Sequence, residues 1–207
     1  MSRLKFPEES RHPWLPLLLE AYAVIDKGIA SAIKKEKKRG GKPACKRGCA
    51  NCCRAHTDIP LYPLEAVGIY WYSTEKINGY LKENLKSQLK DHTAGPPCPF
   101  LIGDDCSIHP LRPVSCRQFN VFGKSCREGE DPFFTRREDV LTPIKEYTDR
   151  AFHIMLPFYG ITGEEARARA VKSGYLHTQV QNLQRYDWKK LAALMDEFDS
   201  KKRSPSQ

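Results

Sequence analysis

Apolar residues return at steps of three and four through the first part of the chain: Leu15, Leu18, Tyr22, Ile25, Ile29 and Ile33. Side chains so spaced line one face of an α-helix, and the pattern predicts a long amphipathic helix from Pro13 to about Lys38. The basic residues from Lys34 to Arg39 suit its C-terminus, where unpaired carbonyls carry partial negative charge. Gly40-Gly41 and then Pro43 end it, because glycine accepts the left-handed turn after a helix and proline cannot continue one. Residues 1–12 are polar without a period and read as a loose N-terminal arm.

Beyond residue 57, Asp58 to Pro63 is extended, since a residue preceding proline is pushed out of the helical region. A helix is expected from Pro63 to about Tyr72, with Leu64, Val67 and Trp71 on one face. Ser73-Thr74 is expected to cap a second helix, Glu75 to about Lys90, whose apolar positions are Ile77, Leu81, Leu85 and Leu89. Prolines and glycines crowd the stretch from Thr93 to Pro132, which predicts loop with short strands at most, near 99–102 and 118–122. Helical pattern returns over 142–156, 163–184 and 186–201, with Leu183, Trp188, Leu191, Leu194 and Phe198 supplying buried faces. Residues 201–207 read as a disordered tail. The fold class is therefore mainly α: one helical domain over 13–200, scaffolding a loop-rich lobe at about 43–132.

That lobe holds all eight cysteines. Four stand in nine residues, Cys45-Lys-Arg-Gly-Cys49-Ala-Asn-Cys52-Cys53, and the others follow as Cys98, Cys106, Cys116 and Cys126. Thiolates gathered at such spacing can converge on a soft metal centre. Gly48 frees the backbone to turn between Cys45 and Cys49. Cysteine-only ligation suits zinc and iron–sulfur clusters alike, so zinc that staples loops and an iron centre that carries chemistry both stay open. Cys52 and Cys53 leave the backbone in different directions; they serve two metals, or one is a free thiol. Lys46, Arg47 and Arg54 lie beside them and favour thiolate. Arg112 and Arg117 flank Pro113 and Cys116, where they either tune a bound cluster by hydrogen-bonding its sulfurs or form ordinary ion pairs. His56 and His109 follow cysteines by three residues and read as hydrogen-bonded histidines before they read as ligands.

Charge adds a second candidate. The chain carries a net +9, and from Lys34 to Arg54 nine basic residues face one acid, Glu36. Thiolates offset part of this excess, and the remainder is compatible with nucleic acid or an acidic protein as partner. The most apolar stretch, Trp14 to Ile25, is broken by Glu20 and closed by Asp26, too short for a membrane span. No secretory signal is evident, so a reducing, cytoplasmic setting with few disulfides is expected. No Rossmann or P-loop glycine pattern and no hydrolytic triad order is present. Tyr70-Trp71-Tyr72 reads as core packing rather than a stacking platform for bases.

The run from Cys45 to Cys53, then Cys98-Pro-Phe-Leu101, Cys106-Ser-Ile-His109, Arg112-Pro113, Cys116-Arg117 and Phe119, resembles the YkgJ-type cysteine-cluster proteins that chelate zinc or iron, the CxxCxxCC family. The likeness spans roughly residues 45–120. It implies a ligand pool of Cys45, Cys49, Cys52, Cys53, Cys98, Cys106 and Cys116. The chain departs at His109, where tyrosine is usual, and Cys126 lies beyond the shared core. One branch of the family is similar to flagellin lysine N-methylases, which implies an iron–sulfur-dependent protein lysine methyltransferase as a minority expectation. No S-adenosylmethionine loop is recognisable.

Overall fold

The helical period at the two ends of the chain becomes helix, and the proline- and glycine-rich middle becomes a series of short turns. In the computed structural model, which describes residues 3–46 and 48–203, the helices are α1 (Trp14–Lys38), α2 (Asn51–Ala55), α3 (Pro63–Glu75), α4 (Gly79–Asp91), α5 (Val114–Gln118), α6 (Pro132–Thr135), α7 (Lys145–Met155), α8 (Glu164–Lys172) and α9 (Lys189–Arg203). Two-residue strands join them: β1 (Pro60–Leu61) pairs antiparallel with β4 (Gln181–Asn182), and β2 (Leu101–Ile102) with β3 (Asp105–Cys106). The fold is mainly α. No described helix is long and apolar enough to cross a membrane.

Helix α1 is the spine. Its buried face holds Leu15, Leu18, Tyr22, Ile25 and Ile29 as predicted, widened by Leu19, Val24 and Ala32, and it packs chiefly on α7. At Gly28 the two helices touch: a Cβ there would stand 2.6 Å from Tyr147 Cβ. Around this pair lies a first core, with Leu111, Met155 and Leu156. A second core forms where α4 and α9 close on the lobe, built on Leu85, Leu89, Phe100, Trp188, Leu191 and Met195. The chain after α8 clasps the lobe from outside. Leu183 N–H donates to Ile59 O at 2.9 Å, and Gln184 Nε2 to His56 O at 2.8 Å.

Several expectations are corrected. The N-terminal arm is not loose among its described residues: Phe6 sits edge-on to Trp71 with centroids 5.1 Å apart, Pro7–Ser10 forms a 3-10 turn, and Glu8 receives Lys76 Nζ at 2.7 Å. Ser73 and Thr74 do not cap a new helix; both are buried inside α3, which runs on to Glu75. In α4, Leu81 is 40% exposed, and Lys82 and Lys86 take the inward positions, reaching Asp199 of α9 at 2.5 and 3.2 Å. The helix expected over 163–184 stops at Lys172, because Gly174 adopts φ 71° and turns the chain toward β4. Leu194 is 40% exposed, while Met195 and Ala192 carry the buried face of α9. Lys201 to Arg203 belong to α9. Residues 204–207 of the expected tail lie outside the described residues.

Candidate metal centre

Four elements deliver the inner thiols. Helix α2 carries Cys52 and Cys53, and the loop bearing Cys98 is tied to it by Cys98 N–H donating to Cys53 O at 2.7 Å. The β2–β3 hairpin turns at Gly103, whose φ of 61° suits glycine, and places Cys106 opposite Leu101. Helix α5 carries Cys116, and Glu65 of α3 holds its start: the carboxylate accepts Val114 N–H at 2.6 Å and Tyr62 N–H at 3.0 Å.

The sulfurs of these segments act on one another. Cys52 is hydrogen-bonded with Cys53, and that bond, burial and the charge of Cys53 hold the Cys52 thiol far above its ordinary range. At Cys53 the Cys52 bond pulls down, but the bond to Cys98, burial and the charges of Cys98 and Cys106 push it up to about 12. Burial raises Cys106, against the Ile108 N–H and Arg112. Burial followed by Cys52, Cys106 and Cys53 raises Cys116 well up. Five thiols thus share one neighbourhood, and Cys98, Cys53, Cys106 and Cys116 lie against the second core.

Residues 44–140 match the CxxCxxCC family model, described as "Putative zinc- or iron-chelating domain". This segment belongs to the CxxCxxCC family. No curated protein and no solved structure matches the chain.

The remaining thiols of the CxxCxxCC domain stand apart from the inner five. Cys45 and Cys49 are exposed, and Cys126 is half-buried. Val121 N–H points at Cys45 Sγ at 3.3 Å, Arg136 Nη2 at Cys126 Sγ at 3.6 Å, and Asn51 Nδ2 donates to Cys126 O at 2.9 Å. Burial raises Cys45, with Cys49 and Cys52 among its charged neighbours; burial also raises Cys126, with Arg136 opposing and Cys45 and Cys49 adding to it.

The two arginines expected to tune the domain are placed differently. Arg117 is buried, stacked 3.9 Å from the Tyr22 ring centroid, and spends its donors on Asp26 at 2.9 and 3.0 Å, on Arg112 O at 2.9 Å and on Pro110 O. Its hydrogen bonds are those of an ordinary ion pair, and its charge lowers Cys106 only from a distance. Arg112 faces His109 Nε2. His56 pairs with Asp131 at 3.3 Å and packs edge-on against Phe119. Lys46 and Arg54 are exposed, and Arg54 is paired with Asp104. Arg47 lies outside the described residues.

Sequence reasoning missed Glu65 and Arg136. Glu65 occupies the third position of α3 behind Pro63, a capping signal readable in the chain, but its partner Val114 is 49 residues away. Among the described residues no three His, Cys, Asp or Glu side chains are already arranged to hold a metal ion. Binding would turn the sulfurs onto a common centre. The donor set fits zinc or iron by its chemistry, since it is sulfur throughout.

Proposed function

We propose that this is a zinc- or iron-binding protein in which Cys52, Cys53, Cys98, Cys106 and Cys116 form the heart of the ligand pool, joined by Cys45 and Cys49. One observation carries the reading: Cys53, Cys98, Cys106 and Cys116, from four elements of the lobe, gather against the same core, with Cys98 N–H donating to Cys53 O at 2.7 Å. Thiols so crowded cannot ionise together without a cation to balance them. Zinc held there would staple the lobe, and an iron centre would add electron transfer. The test is elemental analysis and absorption of protein purified without oxygen. A coloured centre that bleaches on reduction assigns iron–sulfur, a colourless protein with bound zinc assigns zinc, and a metal-free protein that takes up neither refutes the reading.

A second reading has its own observation. Lys34, Lys35, Lys37, Lys38, Lys42 and Lys46 are all exposed at the end of α1 and the start of the lobe. This face suits an anionic partner, nucleic acid or an acidic protein. Binding to duplex or single-stranded nucleic acid that weakens steeply with salt supports it; no binding at low salt removes it.

A further inference from the structure

We infer that the eight thiols sort into two metal sites, and that Cys126 completes an outer site with Cys45, Cys49 and Cys52, each site taking one thiophilic divalent cation. This rests on the metal-binding reading above.

Two sulfurs of the outer group already receive fixed N–H donors. Val121 N–H lies 3.3 Å from Cys45 Sγ and is held in place by the bridge between Val121 and Val140. Arg136 Nη2 lies 3.6 Å from Cys126 Sγ, with the guanidinium pinned by Glu130 at 2.8 Å and Asp139 at 2.6 Å. Donors aimed at sulfur stabilise thiolate and are a usual companion of cysteine-ligated metals. With the guanidinium fixed by these two carboxylates, its remaining N–H stays aimed at Cys126 Sγ.

The segments are also tied together. Asn51 Nδ2 anchors the Cys126 backbone beside the start of α2, and Ala44 N–H donates to Val121 O at 2.8 Å, bringing the Cys45 loop alongside. The surroundings divide the thiols in the same way. Cys53, Cys98, Cys106 and Cys116 lie against the second core, whereas Cys45, Cys49 and Cys126 belong to neither core. Cys52 is in neither core and is a charged neighbour of Cys45 as well as of Cys106 and Cys116. Cys52 and Cys53 are adjacent on α2, and one can serve each site. The division gives four sulfurs to each, the number a tetrahedral centre takes.

The test uses the full chain, reduced and free of oxygen, titrated with cobalt(II) and then with zinc(II). Metal per chain is counted by elemental analysis, and thiolate-to-cobalt absorption is followed in parallel. The wild type is expected to hold two ions. Cys126→Ser and, independently, Cys49→Ser are expected to hold one, with unchanged far-ultraviolet circular dichroism because both residues lie outside the cores. Cys98→Ser is expected to lose the other ion, and the Cys98→Ser/Cys126→Ser double variant both. Two ions retained by Cys126→Ser, or both lost together in it, overturns the two-site assignment while leaving metal binding intact. A wild type that takes up no cobalt or zinc overturns the metal-binding reading itself, and this inference with it.

Discussion

Replacing Arg117 with methionine separates a scaffold role from a sulfur-tuning one. The guanidinium is buried, with 5% of its side chain exposed, and its loss leaves Arg112 O and Pro110 O without their donor. These acceptors are half-buried, so each costs about 1 kcal/mol, the low end of the range, and the lost stack on Tyr22 about 1 kcal/mol more. Asp26 is 30% exposed, so water takes over part of its solvation. The total therefore falls at the lower end of the range for breaking a buried pair, about 3 kcal/mol. In a chain of this size that lowers Tm by about 6–12 °C. Arg112→Met, which loses only a contact with His109, should change stability by about 0.5 kcal/mol or less. Thermal melts followed by circular dichroism on metal-free protein, with metal uptake measured alongside, decide the matter. If Arg117→Met melts within about 2 °C of wild type yet alters metal uptake, the guanidinium serves the sulfurs and the scaffold argument is wrong.

Three further outcomes follow from the packing. Burial raises Glu65 from 4.5 to about 7, against the N–H groups of Tyr62 and Val114. The folded state therefore holds this proton more tightly than the unfolded chain, and the stability it confers is complete below pH 4.5 and lost as pH rises to about 7. The loss amounts to about 3 kcal/mol; urea unfolding at a series of pH values should show this slope in the wild type and lack it in Glu65→Gln, and equal slopes contradict the assignment. Gly28→Ala should cost about 1–3 kcal/mol in urea unfolding, because the added methyl meets Tyr147 and forces α1 from α7; a neutral result would show that the contact relaxes. Leu191→Ala should cost about 2–5 kcal/mol and Leu194→Ala less than about 0.5 kcal/mol, and similar costs for both would put Leu194 on the buried face, as the sequence alone had it.

The long helices were legible because one apolar face runs their whole length, as in α1. Where the repeat was a strict four, reading failed. Ile77 falls before α4, and Leu81, Leu85 and Leu89 drift around a helix of 3.6 residues per turn, so Leu81 leaves the core and the stems of Lys82 and Lys86 fill the gap, their ammonium groups carried to Asp199. Ser73 and Thr74 carried a capping signal that tertiary burial overrode. The expected strand near 118–122 reduces to isolated bridges, Pro43 with Phe122 and Val121 with Val140, because α5 occupies the first of those residues. At the candidate site, cysteine spacing marked the ligand pool, but nothing local marked which nitrogen would face which sulfur. For Arg117 the chain left a sulfur contact and an ordinary ion pair both open, because its partner Asp26 lies 91 residues away.

Helix α5 shows how the thiols are placed. Five residues cannot hold a helix unaided, so its position comes from what grips it. Glu65 holds its first N–H from α3, and Arg117 ties it to Asp26 of α1. Ser115 Oγ bonds Pro60 O at 2.8 Å beside the clasp formed with β4. Helix α3 in turn divides its side chains between the cores, Leu64 and Trp71 to the first, Ala66 and Ile69 to the second, with Glu65 buried between. The location of Cys116 is thus fixed by both cores at once. The Cys98 turn is gripped in the same way by a helix that carries no cysteine: Gln88 Nε2 of α4 donates to Pro99 O at 2.8 Å and to Leu101 O at 2.9 Å, and Phe100 packs edge-on against Trp188.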